Sequence, residues 1–232
     1  EPTASERVVL PAPASRSGFI TDIDDTILST GMTEGLKALR RTLLRDAYGR
    51  KPIPGTPSLY RGLARGTDTS RPESTFFYVS SGPWNLYSML AQFLGVRGFP
   101  RGPLFLTDWR PGSPTSDEDG KVESNHKRAR IRRILDAYPD MSFVLIGDNG
   151  ERDPVIYQEF LESDPDRIQA AIIRDVSGSA TDIDDDFAPE DLVPGSLITV
   201  RDSIQLAKLA QRMGLVDELT VDEVMTEIDA RL

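Results

Sequence analysis

The chain has 232 residues, of which 38% are hydrophobic and 28% are charged, and its formal net charge is -10. This length predicts one sizeable domain, and the absence of an apolar run near the ~18 residues of a membrane-spanning helix favours a soluble globular protein. Since the sequence contains no cysteine and a single histidine, His126, thiolate metal sites and cysteine nucleophiles are excluded. The acidic balance argues against nucleic-acid binding, because a phosphate backbone attracts positive charge. Any metal site must therefore use oxygen ligands.

Residues 1–17 are rich in Pro, Ala and Ser and predict a flexible lead-in to a domain over residues 18–232. Runs of apolar and β-branched residues then predict five strands, the first starting at Gly18 and the others at Phe76–Val79, Leu104–Thr107, Phe143–Ile146 and Ile168–Ile173. Apolar residues at helical spacing lie between these runs. The alternation predicts a Rossmann-like α/β fold, in which a parallel sheet of about five strands carries helices on both faces. An active site is expected at the carboxyl ends of the strands.

Helices are predicted around Leu86–Phe93 and Ile131–Tyr138, between the strands. Residues 30–75 interrupt the alternation and are expected to form a minor cap insert with one helix, over residues 35–47. After the last predicted strand, a helix is predicted over Ser203–Met213. A final helix is expected to begin with a capping box formed by Thr220 and Glu223.

The first predicted strand ends in T-D-I-D-D-T, which places Asp22 and Asp24 at the edge where an active site is expected. Alternation along the strand puts both carboxylates on one side, where they repel each other unless a cation or a shared proton intervenes. Mg²⁺ binds carboxylate oxygens and commonly acts beside phosphate, so the pair indicates a magnesium site. Taken alone, the motif fits an Asp-rich turn without a ligand equally well.

Three further segments lead to the same edge of the predicted sheet. The second strand ends in Ser80-Ser81-Gly82-Pro83, whose hydroxyl and amide groups before a helix can bind phosphate oxygens. Lys127, near the start of a helix after the third strand, can bring positive charge to a phosphoryl group. The fourth strand ends in G-D-N-G-E-R-D, which brings Asp148 beside the carboxylates of the first strand. Acidic residues at two neighbouring strand ends predict a metal site.

This ordered set resembles the four motifs of the haloacid dehalogenase superfamily of phosphatases. More narrowly, the sequence is similar to the catalytic domain of the actin-patch phosphatidate phosphatase family, which is related to lipins. The segments that carry the similarity lie between Gly18 and Val176 and read D-I-D-D-T-I, Y-V-S-S-G-P-W-N-L-Y, F-V-L-I-G-D-N-G-E-R-D-P-V-I-Y and A-I-I-R-D-V.

The resemblance implies that Asp22 attacks phosphorus and forms an aspartyl-phosphate, while Asp24 protonates the leaving oxygen and then activates water. It implies a Mg²⁺ ion held by Asp22, the main-chain carbonyl of Asp24 and Asp148. Asp153 would support this site by orienting a ligand or a water.

The resemblance also implies that Thr26, Ser80, Ser81 and Lys127 bind the phosphoryl group of the substrate. The expected reaction is Mg²⁺-dependent hydrolysis of a phosphomonoester, with phosphatidate and its product diacylglycerol favoured. A phosphatase of a phosphoprotein or a small soluble metabolite remains open, as does a noncatalytic module that binds lipid phosphate. We expect a phosphorylated membrane lipid as partner, possible peripheral membrane contact, no nucleic acid, and a cytoplasmic or peripheral membrane location.

Other charged and aromatic segments have simpler interpretations. Thr181–Asp185 repeats T-D-I-D-D without a strand before it, which predicts a solvated acidic loop. The basic run that starts at Lys127 and ends at Arg133 fits a solvated helix face better than an attraction to anionic lipid. Trp84 is expected to pack rather than anchor a membrane, and His126 is expected to be an ordinary polar helix residue.

Overall fold

The computed structural model describes residues 17–28, 51–107, 121–178 and 194–231. Within these ranges, six parallel strands form one sheet in the order β3-β2-β1-β4-β5-β6. The strands are β1 (Ser17–Thr21), β2 (Thr75–Pro83), β3 (Leu104–Thr107), β4 (Ser142–Asp148), β5 (Ile168–Arg174) and β6 (Ser196–Val200). The predicted α/β class and parallel sheet are confirmed.

All five predicted strands are present, and the sixth strand, β6, was not predicted. β6 pairs with β5 at the edge of the sheet, and most of its five residues are only partly buried. An edge strand of this kind has a weaker apolar signal than the central β4, in which six of seven residues are buried. The predicted helix at residues 35–47 and the second T-D-I-D-D segment lie outside the described residues.

Helices cover both faces of the sheet and bury a separate apolar core on each side. One core contains side chains of α1, α2, α5 and α6, and the other contains side chains of α3 and α4. The helices are α1 (Thr56–Arg65), α2 (Tyr87–Val96), α3 (Lys121–Ala137), α4 (Asp153–Ser163), α5 (Ser203–Arg212) and α6 (Glu218–Asp229). None of the helices in the described ranges is long and apolar enough to span a membrane.

Helix α1 lies inside the segment that we predicted as a cap insert, and its inner side packs in the domain core. The Tyr60 hydroxyl is hydrogen-bonded to Thr21 Oγ1 at 2.8 Å, directly before the first acidic motif. Gly62 allows α1 to approach α6 closely, because a Cβ at this position would lie 2.1 Å from the Thr220 side chain. Residues 29–50 of the predicted insert lie outside the described part of the chain.

The capping prediction for the last helix was wrong. Helix α6 begins after Asp217, whose side chain accepts hydrogen bonds from the Thr220 backbone N–H at 3.0 Å and from the Thr220 hydroxyl at 2.7 Å. Thr220 is therefore inside the first turn, and Asp217 is the N-cap. The sequence signal for this cap was present, since aspartate is among the preferred N-cap residues.

The strand order places β1 and β4 side by side at the point where the order of the sheet reverses. Ser17 to Thr21 pair with Ser142 to Ile146, so the two chains leave the sheet next to each other at their carboxyl ends. In open α/β sheets, this crevice is where ligands bind. The fold therefore brings the acidic motifs that follow β1 and end β4 to one place.

Candidate active site

A short, well-connected turn carries the first acidic motif away from β1. The Asp22 backbone N–H donates to the Ile146 carbonyl at 2.8 Å, which extends the pairing with β4 by one residue. The backbone N–H groups of Ile27 and Leu28 both donate to the Ile23 carbonyl at 3.0 Å, so the chain turns tightly. Asp25 adopts a left-handed backbone with φ of 53°, which Asp tolerates better than most residues. Backbone hydrogen bonds before and after Asp22 thus fix the position of this buried residue.

Lys127 reaches this site from helix α3. Its side chain is 3% exposed, and Nζ donates to Asp22 Oδ1 at 2.8 Å, to Glu151 Oε2 at 3.3 Å and to Asp153 Oδ1. Burial alone would lower the pKa of Lys127, but the carboxylates of Asp153, Asp22 and Glu151 raise the pKa well above its usual value. Lys127 therefore remains a buried cation among three acids.

Three buried carboxylates form the candidate metal site, which we call the acidic triad: Asp22, Asp148 and Asp153. One oxygen from each lies within 4.8 Å of the others. Asp22 Oδ2 and Asp153 Oδ2 are buried and have no hydrogen-bond partner among the described residues. Burial raises the pKa of both side chains, and burial together with Asp153 raises the pKa of Asp148 to about 7. Crowded carboxylates with orphaned oxygens fit a hard divalent cation, which would offset their repulsion.

The contacts of Asp148 orient it within the acidic triad. Its Oδ1 accepts from the Gly150 backbone N–H at 2.7 Å, and its Oδ2 accepts from the Thr26 hydroxyl at 3.1 Å. Thr26 was predicted to bind the phosphoryl group, and the structure shows its hydroxyl in this different contact. Asp153, predicted as a supporting residue, lies inside the triad itself.

Asp24 lies beside the end of β2 instead of in the acidic triad. Its Oδ2 accepts from the Ser80 hydroxyl at 3.0 Å, and Ser80 Oγ accepts from the Gly82 backbone N–H at 2.9 Å. Burial and the nearby Glu151 carboxylate raise the pKa of Asp24 to about 6, although the Ser80 hydrogen bond acts in the opposite direction. A half-buried carboxyl with a pKa in this range suits a group that donates and later accepts a proton.

Glu151 is a site residue to which the sequence analysis assigned no role. Its Oε2 accepts from the Ser81 hydroxyl at 3.2 Å and from Lys127 Nζ at 3.3 Å, and its side chain is 14% exposed. The residue stands in the acidic turn after β4, so its position in G-D-N-G-E-R-D was the available signal. Its two contacts link Ser81, at the end of β2, to Lys127.

The glycine before Asp148 is required by the packing around Asp153. A Cβ at Gly147 would lie 2.2 Å from Asp153 Oδ2 and 2.9 Å from the Tyr157 ring. Tyr157 is buried, and its hydroxyl donates to the Ile146 carbonyl at 3.1 Å, which connects the N-terminal half of α4 to β4. The absent side chain at Gly147 thus leaves room for one member of the acidic triad.

Two arginines of the basic run on α3 form ion pairs with an acid of α4 and with the acid that directly follows it. Arg128 donates to Glu159 at 2.5 and 2.6 Å, and Arg132 donates to Asp164 at 2.7 Å through two nitrogens. These residues therefore form ion pairs between the helices in addition to Lys127, which points into the site. Because both pairs are exposed, the interpretation of a solvated helix face holds for Arg128 and Arg132, whereas Lys127 is buried in the site.

His126, the single histidine, is half-buried on α3. Its Nε2 is buried and has no hydrogen-bond partner among the described residues. Burial and the positive charges of Arg130 and Lys127 lower the pKa of His126 to about 4, so the imidazole is neutral near pH 7. The residue next to Lys127 therefore adds no charge to the candidate site.

The fold and this site define a class of domain: a parallel α/β sheet with a buried lysine and clustered carboxylates at the carboxyl ends of its central strands. The sequence profile of the family described as phosphatidate phosphatase APP1, catalytic domain, matches residues 17–175. The chain belongs to this family. The match confirms the predicted family, whose description names the catalytic domain of a phosphatidate phosphatase.

Two curated relatives show the same similarity. The chain is 32% identical over 166 residues to phosphatidate phosphatase APP1 of Saccharomyces cerevisiae. This aligned region covers 72% of this chain and 27% of the yeast protein. It is 30% identical over 159 residues to the uncharacterized protein C29B5.04c of Schizosaccharomyces pombe. That aligned region covers 68% of this chain and 25% of the relative. The matched region thus spans about a quarter of each relative's length.

Proposed function

We propose that this domain is a Mg²⁺-dependent phosphatase that hydrolyses a phosphomonoester through an aspartyl-phosphate, with phosphatidate as the favoured substrate and diacylglycerol as the product. The observation that carries the proposal is the contact of Lys127 with Asp22, which is itself a member of the acidic triad. Phosphoryl transfer requires mainly alignment and charge neutralisation, and these groups supply a nucleophile, a cation and a site for a second cation.

The residues that would hold Mg²⁺ are the members of the acidic triad, Asp22, Asp148 and Asp153, and the predicted main-chain carbonyl of Asp24. Support comes from the two orphaned buried oxygens, Asp22 Oδ2 and Asp153 Oδ2, which have no protein donor within the described ranges. When bound, the cation neutralises negative charge on the phosphoryl oxygens and on the carboxylates. The Thr26 hydroxyl and the Gly150 N–H keep Asp148 oriented toward this position.

In the proposed reaction, a carboxylate oxygen of Asp22 attacks phosphorus and the bond from phosphorus to the leaving alkoxide breaks. Asp24 in its protonated form donates its proton to the leaving oxygen, so an alcohol departs and Asp24 becomes a carboxylate. Asp24 then takes a proton from a water molecule as the water oxygen attacks the aspartyl-phosphate. Phosphate leaves, and both Asp22 and the protonated Asp24 are regenerated. The pKa of Asp24, about 6, supports both proton transfers.

The proposal that the substrate is a membrane lipid rests on the family and on one surface groove. Trp84, Arg130 and Arg133 line this groove, whose floor includes the apolar side chains of β3. Trp84 is 52% exposed and packs against Tyr87, with ring centroids 4.8 Å apart. An exposed tryptophan beside arginines is the pattern of a membrane-interface contact. Since Trp84 follows the end of β2, the groove begins near the active site.

The groove bears on the two interpretations of the basic run, a solvated helix face and an attraction to anionic lipid. Arg128 and Arg132 pair with acids in α4 and directly after it, whereas Arg130 and Arg133 line the groove. Each Lys or Arg near an anionic membrane contributes on the order of 1 kcal/mol of attraction. Two arginines at the groove can therefore attract this part of the surface to the membrane, although the chain as a whole is acidic. We therefore propose peripheral contact with an anionic bilayer through this groove.

The direct test measures phosphate release from vesicles that contain phosphatidate and from a soluble phosphomonoester, each with Mg²⁺ or with a chelator. We expect Mg²⁺-dependent release that is faster from the vesicles. Asp148→Ala should raise the Mg²⁺ requirement steeply, while Asp184→Ala, in the second T-D-I-D-D segment outside the described residues, should leave it unchanged. Release from the soluble substrate alone would replace the lipid assignment, and vesicle binding without any release would indicate a noncatalytic module.

A further inference from the structure

Glu151 occupies a position that a substrate phosphoryl oxygen would need. Its Oε2 lies 3.2 Å from the Ser81 hydroxyl and 3.3 Å from Lys127 Nζ. Ser81 and Lys127 are two of the groups proposed to bind the phosphoryl group. An anionic oxygen that accepts from a hydroxyl and from an ammonium group has the partners that an oxygen of a phosphate monoester would have.

The other contacts of Lys127 show that Glu151 is the replaceable partner. Nζ lies 2.8 Å from Asp22 and closer still to Asp153, whereas Glu151 is 3.3 Å away. Both aspartates are fully buried members of the acidic triad. Glu151 lies outside the triad, its contact is the longest of the three, and its side chain is partly exposed. Lys127 would therefore remain paired with two carboxylates if the Glu151 side chain moved away.

A phosphate group and the Glu151 carboxylate would repel each other strongly at this position. Two like charges in contact with one cation disfavour each other, and the repulsion is larger at a partly desolvated site than in water. Gly150 precedes Glu151 and Arg152 follows it in the turn between β4 and α4, so the side chain can turn toward solvent without moving a strand. Substrate binding then requires that the carboxylate leave.

We propose that Glu151 is a specificity-determining residue that holds the phosphoryl-binding position on Ser81 and Lys127 and is displaced by the substrate phosphate. This inference rests on the proposed function, because it assumes that Ser81 and Lys127 bind the phosphoryl group. After the reaction, return of the carboxylate to the same two donors expels inorganic phosphate. The free site is thereby kept from binding phosphate weakly from solution, and substrates with further contacts outside the phosphoryl position are favoured.

The test compares Glu151→Gln with the parent in competitive inhibition by inorganic phosphate, in Mg²⁺, with a soluble phosphomonoester as substrate. We expect the inhibition constant for phosphate to fall by about tenfold, because the amide keeps the shape and removes the negative charge. The KM should fall with it, whereas kcat should fall or stay constant as product release slows. Glu151→Asp retains the charge on a shorter side chain and should bind phosphate no more tightly than the parent.

Glu159→Gln is the matched control, because Glu159 pairs with Arg128 on the surface between α3 and α4. It should leave both the inhibition constant and the KM at parental values. An unchanged or raised inhibition constant in Glu151→Gln would overturn the proposal. Calorimetric titration with inorganic phosphate and Mg²⁺ separates the two proposals: tighter binding by Glu151→Gln in a protein without hydrolytic activity would support Glu151 and refute the proposed phosphatase function.

Discussion

Replacement of Asp22 by Asn tests both the nucleophile and the charge balance of the site. Asp22 accepts from Lys127 at 2.8 Å and lies within 4.8 Å of the other two members of the acidic triad, Asp148 and Asp153. With an effective dielectric constant of about 20, the ion pair contributes about 6 kcal/mol of attraction. The two neighbouring carboxylates contribute about 7 kcal/mol of repulsion when all groups are charged. The two effects nearly cancel.

We therefore expect Asp22→Asn to fold, with a free energy of unfolding within about 1 kcal/mol of the parent in the presence of a chelator. The amide has the shape of the carboxylate, removes one repelling charge, and leaves Lys127 paired with Asp153 and Glu151. Turnover should be abolished, because a neutral amide does not attack phosphorus. Added Mg²⁺ should stabilise the parent more than the variant, since the variant offers one anionic ligand fewer.

Urea unfolding with a chelator and with excess Mg²⁺ measures the stability of both proteins, and phosphate release measures turnover. Phosphatase activity within tenfold of the parent would refute Asp22 as the nucleophile. A loss above about 3 kcal/mol in the chelator would show that the pair with Lys127 outweighs the repulsion, which would refute the charge balance. Equal stabilisation of parent and variant by Mg²⁺ would remove Asp22 from the metal site.

Arg130→Glu combined with Arg133→Glu is expected to slow hydrolysis of phosphatidate in vesicles, most strongly at low salt, and to leave a soluble phosphomonoester nearly unaffected; equal losses would assign these arginines to the fold. Gly147→Ala should cost about 1–3 kcal/mol and weaken Mg²⁺ binding, because its Cβ would lie 2.2 Å from a carboxylate of the acidic triad. Gly95→Ala, where nothing lies within 4 Å of the new Cβ, should instead stabilise α2 by up to about 1 kcal/mol, and similar urea midpoints for the two variants would contradict this reasoning. His126 has a folded-state pKa of about 4, below its ordinary value of 6.5, so the unfolded chain binds more protons and stability should fall as the pH drops through this window. His126→Gln should flatten that part of the pH dependence of the urea midpoint, and an unchanged slope would exclude the imidazole as its cause.

The strands and the strand-end motifs were predictable because both are local patterns. A run such as F-V-L-I in β4 is apolar on both faces and short, which indicates a strand buried between two layers of helices. Asp22 and Asp148 each stand at the end of such a run, so a parallel sheet alone places them at one edge. Lys127 was predictable only as the lysine of a motif, since nothing in its helix marks it as buried.

Elements with weaker local patterns were missed. Helix α4 begins at Asp153-Pro154, a favourable first turn, but no helix was predicted there, because its apolar residues directly follow the acidic motif. Helix α1 lies in a Pro/Gly-rich segment, and its burial depends on contacts with α6 that come from the other end of the chain. The edge strand β6 offers only two buried residues.

By itself, the sequence determined the α/β class, the family and the acidic residues that follow the central strands, because hydrophobic periodicity and motif order are properties of the linear chain. Only the tertiary structure decided which carboxylates lie together. Asp22, Asp148 and Asp153 form the acidic triad, whereas Asp24 accepts a hydrogen bond from Ser80. It also decided that Glu151 reaches Lys127. These contacts depend on the pairing of β1 with β4 and on the packing of α3 against the sheet. Distances between side chains remote in sequence are set by packing rather than by local pattern.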